Sequence, residues 1–124
     1  MAAKDKVLAK AIANAVKNIG ENLILFGLSN SFLISEANAI GLKTASEVFA
    51  DRTYQDDGTL TPRSQPNALI QNIEEAIEQA LLMVNHRKVK TVSGFEIPII
   101  AETVCVHGDG KLAVEFAKAI RTLL

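Results

Sequence analysis

The sequence predicts an α/β fold, with parallel strands covered by helices and joined by right-handed crossovers. Three observations predict it. Apolar runs too continuous for a half-solvated strand alternate with segments of helical periodicity. Their order is helix, strand, helix, strand, loop, helix, hairpin, strand, helix. Polar residues gather just after each long strand, where parallel sheets and barrels place their ligands.

The first helix is expected over residues 4–19. Val7, Leu8, Ala11, Ile12, Ala15, Val16 and Ile19 recur at helical spacing on one face, and Lys4, Lys6, Lys10, Asn14 and Lys17 take the other. Gly20 suits its C-terminal stop. Residues 22–28 lack polar alternation and read as a strand buried on both faces. Ser29 or Asn30 is placed to cap a second helix running to about Ile40, with Gly41 ending it. Residues 44–50 form the second strand.

A long polar loop follows, closing at Pro66. A loop of this length inside a compact domain is either functional or disordered. Tyr54, Leu60, Pro62 and Pro66 can anchor it, so it reads as a substrate-facing loop at the end of the sheet. Within it Asp56-Asp57-Gly58 reads as a turn.

Asn72, with Glu75 three residues on, resembles a capping box for a helix to about Val84. Ile73, Ala76, Ile77, Ala80, Leu81 and Val84 face inward, while Glu74, Glu75 and Glu78 form a solvated face. His86 reads as exposed and structural. Ser93-Gly94 is a hairpin turn between residues 89–92 and 95–97, and Pro98 marks an edge or a lead-in. Residues 99–106 form the third long strand, ending in His107-Gly108-Asp109-Gly110. Asp109 then caps a last helix with Leu112, Ala113, Phe116, Ala117, Ile120 and Leu123 inward. Three long strands leave open sheet edges, which natural domains avoid. Either a partner chain closes the sheet or this is the C-terminal part of a larger barrel.

With 124 residues, 48% apolar and 22% charged, one soluble domain with a real core is expected. A net charge of -1 without a clustered basic face excludes an electrostatic case for nucleic acid or an anionic membrane. No apolar run approaches the roughly twenty residues needed to span a bilayer, and no secretory signal opens the chain. One cysteine, Cys105, sits in an apolar run and reads as a packed small hydrophobe, which points to the cytoplasm. No Walker-type loop is present, so a nucleotide site is not legible.

The chemistry-bearing candidates lie on one predicted rim. His107 at the third strand end suits acid/base work, since imidazole titrates near neutrality; the plainer reading is a histidine satisfied by a backbone carbonyl. Glu47 and Asp51 are four apart on one strand, hence on one face. Asp51 reads equally as metal ligand, base, or salt-bridge partner of Arg52. Arg63 and Gln65 suit a carboxylate or an amide. Gly108-Asp109-Gly110 presents backbone amides to an anion, or Asp109 is a helix cap.

The motifs 47–52 (Glu-Val-Phe-Ala-Asp-Arg), 54–60 (Tyr-Gln-Asp-Asp-Gly-Thr-Leu), 62–66 (Pro-Arg-Ser-Gln-Pro) and 104–109 (Val-Cys-Val-His-Gly-Asp) closely resemble the LamB/YcsF lactam-utilisation family over nearly the whole chain. The resemblance implies a (β/α) barrel of the seven-stranded glycoside hydrolase/deacetylase type. It also implies the A subunit of ATP-dependent 5-oxoprolinase, which opens the small-molecule lactam 5-oxoproline to L-glutamate with the B and C subunits. The Asp-Leu-Asn-Ala-Asp and Lys-Pro-His-Gly-Ala-Leu-Tyr motifs of the family's N-terminal half do not occur here. This single domain is therefore expected to be the C-terminal half of that barrel, needing the missing N-terminal half of the A subunit. On this reading Glu47, Asp51 and His107 are expected to be catalytic, and Arg52, Arg63, Gln65 and Asp109 substrate-binding, with metal content open. The alternatives are a non-catalytic ligand-binding or assembly module, or an inactive remnant of a split gene.

Overall fold

The computed structural model describes residues 1–20, 22–108 and 113–123. The chain divides into two compact units, Met1–Glu47 and Val48–Leu124.

In the first unit, α1 (Lys6–Ile19) starts at Asp5, whose carboxylate accepts from the Leu8 amide at 3.0 Å. This helix buries Ala9 and Ala13, leaving Leu8, Ile12 and Val16 half-buried. The expected inner face is therefore rotated: Val7 is 81% and Ile19 79% exposed, and Ala11 and Ala15 are exposed with them. The physical reason is packing, because alanines let helix backbones approach closely where larger side chains would hold them apart. α1 lies against α2 (Phe32–Ala39), and Ala13 meets Ala37 and Leu42 in the core, with Val16, Leu25 and Ile40 around them.

α2 starts later than expected. Asn30 takes a left-handed φ of 60°, so the chain turns there and Ser31, not Ser29 or Asn30, is the N-cap. The helix end is as expected. Gly41 (φ 73°) lets its own N–H donate to Asn38 O and the Leu42 N–H donate to Ala37 O, both at 3.0 Å.

β1 (Ile24–Leu28) pairs in parallel with β2 (Lys43–Phe49), from Ile24 opposite Lys43 to Leu28 opposite Glu47. The expectation of burial on both faces fails: Ile24 and Phe26 are 54% and 53% exposed, while Leu25 and Gly27 are covered. An unbroken apolar run licenses two covered faces, but only contact with a second layer supplies them.

In the second unit the end of β2 lies beside β5 (Thr103–Cys105), where the Ala50 N–H donates to Cys105 O at 3.1 Å. β5 is shorter than the expected 99–106. The chain comes off the hairpin through Pro98, with Ile99 tied to Arg87 O and Glu102 bent, so ladder geometry begins only at Thr103.

α3 (Ile73–His86) is capped by Asn72, whose Oδ1 accepts from the amides of Glu74 and Glu75 at 2.8 and 3.2 Å. Its Ala76 and Ala80 are buried and its three glutamates and His86 are exposed, as the periodicity predicts; Met83, not expected inward, is buried with them. β3 (Lys88–Lys90) and β4 (Glu96–Pro98) form the expected antiparallel hairpin, with Val89 opposite Ile97 and Gly94 at φ 86° in the turn. α4 (Ala113–Leu123) buries Phe116 and Ile120, but Ala117, expected inward, is exposed. Ala50, Ala80 and Ile120 form this unit's core with Val104 and Val106 against them. Leu112, and the expected cap at Asp109, lie outside the described residues. No helix among the described residues is long and apolar enough to cross a membrane.

Candidate active site

The chain leaves β2 at Phe49 and enters a turn through Ala50 and Asp51. Backbone groups that leave a ladder need other partners when buried. Here most of those partners are supplied from outside the sheet. Gln79, on α3, points its carboxamide nitrogen at the carbonyls of Phe49 (2.9 Å), Ala50 (3.2 Å) and Arg52 (2.8 Å). The Asp51 carbonyl accepts from the Ile70 amide at 2.9 Å. The Phe49 amide donates to the Tyr54 hydroxyl at 2.8 Å.

That fixed turn delivers Asp51, 6% exposed, to the end of β5. Its carboxylate takes the His107 backbone N–H at 2.9 Å on Oδ2, and His107 Nδ1 stands 3.0 Å from both oxygens. The imidazole also stacks on Phe49, with centroids 5.7 Å apart and planes 24° apart. Its side chain keeps 24% of its exposure.

A carboxylate only accepts hydrogen bonds, so in the neutral ring Nδ1 carries the proton and Nε2 keeps its lone pair. Carboxylate, oriented imidazole and an unprotonated Nε2 form the arrangement of a general base: the acid fixes the tautomer and stabilises the imidazolium once a proton is taken. The plainer reading, a histidine satisfied by a backbone carbonyl, does not describe this geometry. His107 is satisfied by a side-chain carboxylate.

The loop after Asp51 is folded. Tyr54 is fully buried and bridges Leu60 and Thr91, while Arg52 pairs with Leu69. Gly58 (φ 78°) turns the expected Asp56-Asp57-Gly58 corner, where Asp57 accepts from the Thr59 amide at 3.0 Å. Arg52, 6% exposed, donates from Nε to Ala68 O at 3.0 Å and from Nη2 to Thr61 O at 2.6 Å. Burial first, and then the positive charge of Arg63, hold its pKa below the ordinary value. Its guanidinium thus clamps the two arms of the loop.

Arg63 and Gln65 are exposed on the same loop. Glu47 and Asp51 do not share a strand face, because β2 ends at Phe49 and the alternation stops before Asp51. Glu47 is half-buried in the first unit and its carbonyl accepts from the Ser29 amide. Asp109 lies outside the described residues. Among those described, no group of three or more His, Cys, Asp or Glu could hold a metal ion.

Sequence reading missed Gln79 as a site residue. The signal was slight: an uncharged amide beside Glu78, on a helix whose other polar positions near its start are glutamates.

Comparison with known proteins gives four findings. The sequence model of the LamB/YcsF family matches residues 1–124. The 5-oxoprolinase A subunit of Tolumonas auensis is 56% identical over 124 residues, all of this chain and 49% of that protein. That of Oceanobacillus iheyensis is 54% identical over 120 residues, 97% of this chain and 47% of that protein. The crystal structure of a lactam utilization protein from Thermus thermophilus superposes with a TM-score of 0.84 at 39% identity, covering 97% of this chain and 47% of that one. The chain spans about half the length of the relatives it matches.

Proposed function

The chain belongs to the LamB/YcsF family, and on that premise we propose that it serves lactam opening as part of a 5-oxoprolinase A subunit, with Asp51 and His107 as the acid/base centre. One observation carries the reading: a buried carboxylate holds His107 at both its backbone N–H and its Nδ1. Opening a lactam needs a proton taken from the attacking water and a proton given to the leaving nitrogen, and one oriented imidazole can do both in turn.

In the proposed reaction water adds to the amide carbonyl of 5-oxoproline while His107 Nε2 takes its proton. The ring C–N bond then breaks, the nitrogen receives that proton, and L-glutamate results. Asp51 stabilises the imidazolium between the two steps. Arg63 and Gln65 are assigned to the substrate carboxylate and amide, and Asp109 to substrate binding. For Arg52 we prefer the loop clamp to substrate contact, since its Nε and Nη2 donate to the Ala68 and Thr61 carbonyls.

The seven-stranded (β/α) barrel, the N-terminal half of the A subunit, the B and C subunits, the use of ATP and a cytoplasmic setting all belong to this proposal. No step is routed through the nucleotide. The relatives' twofold length supports a chain that works when completed. A second reading, an assembly module without catalysis, is favoured by the exposed Ile24 and Phe26 of β1, since exposed apolar strand surface seeks a partner.

The test is to complete the chain with the remaining segment of a family member and with the B and C subunits, then follow glutamate formation from 5-oxoproline. His107→Ala is expected to lower turnover by about 100-fold or more. Turnover close to that of the parent would remove His107 from the reaction.

A further inference from the structure

Asp51 can orient His107 only if the Asp51 backbone is itself fixed, and the sheet does not fix it. β2 ends at Phe49, Arg52 meets Leu69 in an isolated bridge, and the carbonyls of residues 49–52 take hydrogen bonds from α3 and from the loop. Three of those four carbonyls converge on a single atom, Nε2 of Gln79. The fourth, on Asp51 itself, is held by Ile70. A carboxamide nitrogen bears two hydrogens, so one is shared between two acceptors.

The helix that presents Gln79 is also well anchored. Its N-terminus is capped by Asn72, and Ala80, the neighbouring residue, is packed in the core with Ala50. The donor is therefore tied to the same packed cluster as the turn it holds.

We propose that Gln79 is a positioning residue for the Asp51–His107 pair, acting through the backbone turn that aims the Asp51 carboxylate. It touches neither member of the pair by side chain, and its effect reaches His107 only through Asp51. The inference rests on the reading of Asp51 and His107 as the acid/base pair.

The experiment is nitrogen-15 NMR of the imidazoles in the labelled chain, at a pH where both histidines are neutral. The chain has two histidines, and exposed His86 serves as the internal control. In the parent, His107 is expected as the Nδ1–H tautomer. Gln79→Met keeps the length of the side chain and removes the donor. It should lower the ratio of Nδ1–H to Nε2–H at His107 by about fivefold, the size of one lost hydrogen bond, with His86 unchanged. Gln79→Lys restores N–H donors one atom further along the side chain and should move the ratio back toward that of the parent.

If Gln79→Met melts without cooperativity, Gln79→Asn decides instead: it is polar but one methylene short, and should show an intermediate ratio. An unchanged His107 signature in the folded Met variant, or in the Asn variant where that one is needed, would overturn the role of Gln79. A parent that already shows Nε2–H at His107 would instead overturn the acid/base pair, so the two failures are distinguishable.

Discussion

Tyr54 is the chain's one tyrosine, it is fully buried, and its hydroxyl oxygen accepts the Phe49 amide. Burial raises its pKa well above the ordinary value of 10.0; the bond from Phe49 and the charge of Arg52 oppose that shift without cancelling it. A raised pKa means that folding favours the protonated phenol. Its stabilisation is complete below about pH 10 and is lost as the pH climbs toward the folded value. With no tryptophan and one tyrosine, tyrosinate absorbance reports this group alone. We expect it to appear only together with unfolding. Ionisation at the ordinary value in a chain that is still folded would contradict the burial.

Asp51 and His107 are legible in the sequence because both sit just past a strand, where parallel α/β folds put chemistry. Their mutual geometry is not, being set by residues 56 positions apart. Arg52 shows a related limit. A charged side chain in a polar loop suggests a ligand, but here the loop's own carbonyls are the acceptors. Gln79 has no local signal strong enough to find it.

At the scale of elements, what depends on neighbouring residues is readable and what depends on packing is not. The Asn72 cap, the Gly41 helix stop and the Ser93-Gly94 hairpin follow from side-chain and backbone chemistry within a few residues. We expect Asn72→Ala to destabilise the fold by about 1 kcal/mol, read as a lower midpoint in chemical denaturation with unchanged slope. An unchanged midpoint would mean that the two bonds to Glu74 and Glu75 contribute nothing net. The rotation of α1 lies beyond periodicity. Val7, Ala11, Ala15 and Ile19 form as good an apolar row as Ala9 and Ala13 with their half-buried neighbours, and only helix–helix contact selects between them. β1 likewise reads as doubly buried because apolar continuity cannot say whether a second layer is present.

For the whole molecule, the α/β class and the parallel pairing of β1 with β2 agree with the order of elements along the chain. The family is equally legible, since the motifs that carry the site also carry the resemblance. The chain spans about half the length of the relatives named above, and the proposed reading assigns activity to a completed protein.

The central claim is that Asp51 and His107 act as one unit, and a double-mutant cycle in the completed enzyme tests it most directly. Turnover of 5-oxoproline would be compared for the parent, Asp51→Asn, His107→Ala and the double variant. Groups that act as a unit are strongly non-additive, so the double variant is expected to be no slower than His107→Ala alone. If the two losses multiply, or if Asp51→Asn leaves turnover at the parent level, the pair does not work as the acid/base centre.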